Sequence, residues 1–219
     1  WANNVENWTA TTTGTERHDE TPYYVRVSRD GDPNAGHLRT LANAGPTLDE
    51  RDIIDAGFLD LVRLGIKPAD DPVIENSVAT VDETIRVDAG SAAGFYRYNG
   101  DGYGERERGD AGGPWSVENK GKGRLWPLLT GERGEYELQV DEPDLAPEDC
   151  LRAMQEFANS GRMIAEQVWD RQHATDYDWE FGEGTGSATP LAWAMAQYVR
   201  LAHGITAGDP VETPAFVDE

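Results

Sequence analysis

Apolar residues recur at helical spacing in six separate stretches of this chain, and long gaps rich in glycine, acids and aromatics divide them. Trp1, Val5 and Trp8 read as the last turns of a helix that ends before Thr11-Thr12-Thr13-Gly14. From Ile53 to Leu64 the residues Ile53, Ile54, Phe58, Leu61 and Val62 share one helical face, and Gly65 and Pro68 stop it. Asp71-Pro72 is a strong start signal, an acid at the N-cap followed by proline where its missing donor does no harm. Val73, Ser77, Val78, Val81 and Ile85 carry that helix onward. A fourth helix is predicted through Trp126, Leu129, Arg133 and Tyr136. A fifth runs from about Ala146 to Gly161, and a sixth opens at Thr189-Pro190 and runs to Gly204.

Between these lie Gly90–Gly123 and Arg162–Ala188, long irregular segments of the kind a compact domain reserves for function. Pro22–Val27 is β-rich and Arg29-Asp30-Gly31-Asp32 has turn chemistry, which predicts a short surface hairpin. No βαβ rhythm and no repeat is visible. The expected fold class is therefore mainly α, about six helices with long loops and one small β-hairpin.

Charge alters this picture more than length does. Within 219 residues, 41 acids face 19 bases, a formal net charge of −22. The lysines are Lys67, Lys120 and Lys122, so nearly all positive charge is arginine. Nucleic acid and anionic membrane are poor partners for such a surface. No run of apolar residues is long enough to span a bilayer. The acids are dispersed rather than gathered in a tail, which points to a protein adapted to molar salt, where the Debye length falls to about 3 Å. Cys150 has no second cysteine to pair with and reads as a buried helix residue.

Candidate chemistry narrows by elimination. The chain has no glycine-rich loop between strand and helix, no His-x-x-x-His pair and no Cys/His cluster, so nucleotide, zinc and thiol chemistry are disfavoured and no metal or cofactor is expected. His18, His37, His173 and His203 share no motif and read as surface residues. Carboxylates, arginines and tryptophans remain, the groups that serve sugars: indole faces stack on rings, arginines bind hydroxyls, and a carboxyl pair handles protons.

Three segments concentrate them. They are Phe95-Tyr96-Arg97-Tyr98-Asn99-Gly100-Asp101-Gly102-Tyr103-Gly104 with Gly113-Pro114-Trp115, Gly123-Arg124-Leu125-Trp126-Pro127 through Gly131-Glu132-Arg133-Gly134, and Ala165-Glu166-Gln167-Val168-Trp169-Asp170 with Gly186-Ser187-Ala188-Thr189-Pro190. In order and spacing, together with Trp8–Gly14 and Phe58–Gly65, they resemble glycoside hydrolase family 15, the inverting glucoamylases, and within it the branch of bacterial and archaeal glucoamylases and glucodextranases.

The resemblance implies an (α/α)6 barrel with the active site in a crater of loops, residues 1–219 forming the C-terminal half of the catalytic domain. It implies that Glu166 is the general base, that Arg97 binds the terminal glucose, that Trp115 or Trp126 walls its subsite, and that Tyr98 is a further substrate-binding residue. Glu132 and Arg133 either line the crater or form an ion pair between helices. The family's general acid lies on a helix upstream of the Trp8 region, so the expected partner is the N-terminal half of the same domain. Trp179-Glu180 falls on the wrong side of Glu166 to replace it. The substrate implied is an α-glucan or oligosaccharide, cleaved as by a glucoamylase, a glucodextranase or an archaeal trehalase. The competing expectation is a non-catalytic half-barrel that binds carbohydrate or serves as an interaction subunit.

Overall fold

The computed structural model describes residues 2–14, 21–107, 112–116, 118, 121–172 and 177–214. Among them the chain is mainly α, with six helices and three two-stranded antiparallel sheets. The helices are α1 (Val5–Thr9), α2 (Leu59–Arg63), α3 (Pro72–Thr84), α4 (Pro127–Glu137), α5 (Pro147–Glu156) and α6 (Ala192–Ala207). His18 and His173 lie outside the described residues, His37 is half-buried and His203 is exposed.

Helix α4 is the spine, packed against α2, α5 and α6. Its two glycines explain the close approach: a Cβ on Gly131 would strike Gln197 of α6 and Met154 of α5, and one on Gly134 would strike Leu201 and Cys150. Cys150 is fully buried at that seam, as expected for a helix residue facing the core. Proline opens α3, α4 and α5, and the Asp71 carboxylate caps α3 by accepting from Val73 N–H at 2.9 Å. Ile74, Val78 and Val81 then join Phe95, Leu128, Met154 and Leu201 in one core.

Four expectations need correction. Tyr23–Tyr24 (β2) pairs with Ala10–Thr11 (β1), not with residues beyond the Asp30-Gly31 turn. Both tyrosines are buried, because a two-residue ribbon that closes the core outweighs a local turn preference. Hairpins occur instead at Leu38–Thr40 with Thr47–Asp49 (β3, β4) and at Arg86–Ala89 with Ala92–Phe95 (β5, β6). Helix α2 occupies only the end of the Ile53–Leu64 stretch: Ile53 and Ile54 are buried in extended backbone, held where Ile54 N–H meets Asn99 Oδ1 at 2.8 Å. Finally, α6 passes through Gly204, whose missing side chain admits Leu138, and ends at Gly208 in the left-handed conformation.

Candidate active site

Past β6 the chain leaves regular structure, yet isolated bridges order it. Tyr96 pairs with Leu125, Leu125 with Val168, and Val168 with Gly184. Four loop segments from distant parts of the sequence thus lie side by side as a narrow ribbon. Several of the singled-out residues flank these bridges: Arg97 and Tyr98 follow Tyr96, Trp126 follows Leu125, Glu166 and Gln167 precede Val168, and Gly186 and Ser187 lie two and three positions past Gly184. The glycines of this region serve close backbone approach, since a Cβ on Gly104 or on Gly121 would overlap the other segment's carbonyl.

Glu166 is half-buried, and its N–H donates to the Ala188 carbonyl at 2.9 Å. Partial burial raises its carboxyl above the usual range. A backbone hydrogen bond with Ala188 and the Arg97 charge pull it down, and the Glu105 and Asp101 charges push it up. Arg97 therefore shares Glu166's electrostatic neighbourhood. Its guanidinium is forked onto Asp101, Nε donating to Oδ2 at 2.8 Å and Nη2 to Oδ1 at 3.0 Å, and it lies 4.9 Å from the Trp126 ring centre. Asp101 is buried and also accepts from Tyr103 N–H, so the fork sits on a fixed base.

Beside this group opens a cleft of about 290 Å³ lined by Tyr103, Glu105, Trp115, Gln167, Trp179 and Ser187, among others. Tyr103 and Trp115 meet edge to face at 5.3 Å. Trp179 is pinned by its indole N–H to the Gly112 carbonyl at 2.9 Å. Glu105 Oε2 and the indole nitrogens of Trp115 and Trp126 are buried and have no hydrogen-bond partner among the described residues, so a ligand hydroxyl could satisfy them.

Below lies Arg124, fully buried, stacked 4.2 Å from the Trp169 ring. Its guanidinium donates to Asp170 Oδ1 at 2.9 Å and to the Glu105 carbonyl at 2.7 Å, and its N–H donates to Gln167 Oε1 at 2.7 Å. Burial alone would raise the Asp170 carboxyl, but Arg124, the Tyr96 hydroxyl and Lys122 hold it below the usual range. One arginine thereby joins the second motif to the third.

The sequence-selected residues divide by position. Arg97, Trp126 and Glu166 come together, and Trp115 joins them across Tyr103. Tyr98 and Trp126 are both buried, 5% and 6% exposed, and both hold a ring near the Arg97 guanidinium, at 5.3 and 4.9 Å; Tyr98 also packs with Leu41 and Ile53 beneath Arg26. Glu132 and Arg133 lie away from the cleft lining. Arg133 is the ion pair between helices, locked on Asp82 of α3 through Nη2 at 3.0 Å and on Glu137 through Nε at 2.6 Å. Glu132 faces Asp60, Arg63 and Arg200, where burial foremost raises its carboxyl to about 7. Sequence reasoning passed over Glu105 and Arg124. The run Glu105-Arg106-Glu107-Arg108 looks like a solvated charge pattern, and only the tertiary contacts bury its first member.

The scaffold is mainly helical, and its loops gather a carboxylate, a forked arginine and indoles. The chain belongs to the glycosyl hydrolases family 15, whose model matches residues 1–203. It is 44% identical over 201 residues to a glucoamylase of Clostridium sp. (strain G0005), covering 92% of this chain and 26% of that protein. A bacterial glucoamylase solved in complex with acarbose superposes with a TM-score of 0.84 at 40% identity, over 99% of this chain and 29% of that one. A wild-type glycosidase structure, 21% identical with a TM-score of 0.50 over 78% of this chain, shares the fold alone. The chain thus spans little more than a quarter of the first two relatives.

Proposed function

We propose that this chain supplies the general base and part of the sugar-binding crater of an inverting, exo-acting α-glucoside hydrolase of the glucoamylase or glucodextranase type. The observation that carries the reading is the convergence of Glu166, Arg97 and Trp126 from three separate motifs at one bridged ribbon, beside an aromatic cleft. Arg97, fixed by Asp101, donates to hydroxyls of the non-reducing terminal glucose while Trp126 and Trp115 cover its apolar faces. Glu166 takes a proton from the water that attacks the anomeric carbon opposite the leaving group. A carboxyl on the N-terminal half of the domain, about 6.5–9.5 Å across, protonates the departing oxygen.

Its half-buried setting suits Glu166 to that task, because a raised carboxyl is a stronger base once ionised. The acarbose bound by the related glucoamylase fits the same reading, as a sugar-like occupant of such a crater. Adaptation to concentrated salt belongs to the proposal too and rests on the −22 charge.

The test is Glu166→Gln against wild type in the complete catalytic domain, in high salt. Turnover should fall by roughly 10²–10⁴, with β-glucose as the first anomer released by wild type. Near-normal turnover in the variant overturns the assignment. Rates on dextran, maltooligosaccharides and trehalose decide the linkage.

A further inference from the structure

We propose that Glu105 is a positioning residue for Glu166, acting through the Gly186–Ala188 loop that it anchors. The proposal rests on the reading of Glu166 as the base for its catalytic meaning, but its geometry stands independently.

Glu105 is 5% exposed, and its Oε1 accepts from Gly186 N–H at 3.1 Å. The loop so held turns back onto the base: Ala188 O accepts from Glu166 N–H at 2.9 Å, and Ser187 Oγ accepts from Gln167 N–H at 2.9 Å. Glu105 is itself fixed, because Arg124 Nη2 donates to its carbonyl at 2.7 Å and Arg124 Nε lies 3.9 Å from Oε2. A buried carboxylate is a costly way to hold one backbone amide. An amide or hydroxyl side chain would do the same bonding, so the charge itself needs a reason. The groups facing Glu166 supply one: Arg97 favours its charged form, while Glu105 and Asp101 oppose it, and Tyr103 lies in the same field. Asp101 is neutralised by its fork with Arg97 at 2.8 and 3.0 Å, whereas Glu105 has Arg124 only at 3.9 Å. Glu105 is thus the acid best placed to keep Glu166 from being over-stabilised as a carboxylate, and also the one that sets its backbone.

Two substitutions in the full chain separate the roles. Glu105→Gln keeps an oxygen for Gly186 and removes the charge. Glu105→Ala removes both. In Glu105→Ala, hydrogen exchange at the Glu166 and Gln167 amides should quicken roughly tenfold relative to the amides of α3. In Glu105→Gln those amides should stay protected, while the Glu166 carboxyl, followed by 13C NMR and assigned by its loss in Glu166→Gln, titrates lower than in wild type. Unchanged exchange in Glu105→Ala, or an unmoved Glu166 titration in Glu105→Gln, overturns the proposal. If Glu105→Ala does not fold, the Glu105→Gln titration decides alone. Neither readout uses turnover, so an active Glu166→Gln enzyme would sink the base assignment without touching this one.

Discussion

Arg97 and Asp101, four residues apart in an irregular loop, form two near-parallel hydrogen bonds of 2.8 and 3.0 Å. The fork fixes the plane of the guanidinium. Asp101→Asn keeps one acceptor and loses the second. We expect KM for maltooligosaccharides to rise about tenfold or more, the weight of one charge-assisted hydrogen bond, with a smaller change in kcat. Steady-state kinetics of the complete domain check this, and an unchanged KM would show that Arg97 is oriented without Asp101.

Arg133 is 3% exposed and bridges α4 to α3 through Asp82 while neutralising Glu137, which is 2% exposed. Removing it strands a buried negative charge. Arg133→Ala should destabilise the fold by about 3–5 kcal/mol, read as a lower urea midpoint. A loss below about 1 kcal/mol would mean that solvent reaches Glu137 in the variant.

Glu132 gives the fold a pH dependence whose sign is fixed by the direction of its shift. Its carboxyl is raised from 4.5 to about 7, by burial first and by Asp60 next, against Arg200 and Arg63. Above its unfolded value the unfolded chain releases this proton while the native chain still holds it. Stability therefore falls as pH rises from 4.5 through about 7, and is insensitive to Glu132 below that window. Glu132→Gln should match wild type at pH 4 and exceed it at pH 8 by no more than about 3 kcal/mol, less for screening by solvent. Thermal melts at both pH values test it, and equal gains at both would remove titration as the cause.

The net charge of −22 makes the folded surface repel itself. Raising salt from 0.15 to 1 M shortens the Debye length from about 8 to about 3 Å, so Tm should climb by several degrees. A Tm that falls across this range would show that exposed ion pairs, such as Arg152 with Asp149, contribute more than repulsion.

Helix α3 was fully legible because Asp71-Pro72 and the spacing of Val73, Ser77, Val78 and Val81 all say the same thing locally. The stretch from Ile53 misled because a helical face and a pair of buried residues in extended backbone leave the same spacing. Asn99, 45 residues away, decides between them by bonding Ile54. The site motifs were legible as segments, through glycine, arginine and tryptophan in unusual density. Their surroundings within the site were not: that Tyr98 and Trp126, from two separate motifs, both come against the Arg97 guanidinium follows only from the fold.

The sequence by itself determined the helical class and the helix starts at Pro72 and Pro147, because those follow from periodicity and local backbone chemistry, and it carried the ordered motifs that resemble the family, whereas the start expected at Thr189-Pro190 moved to Ala192. The tertiary structure alone decided which carboxylates matter together. Glu105, Asp101 and Glu166 approach one another only when the bridges Tyr96–Leu125–Val168–Gly184 align four loops. Burial and charge proximity, which set what a carboxyl can do, are properties of that alignment and of no single segment.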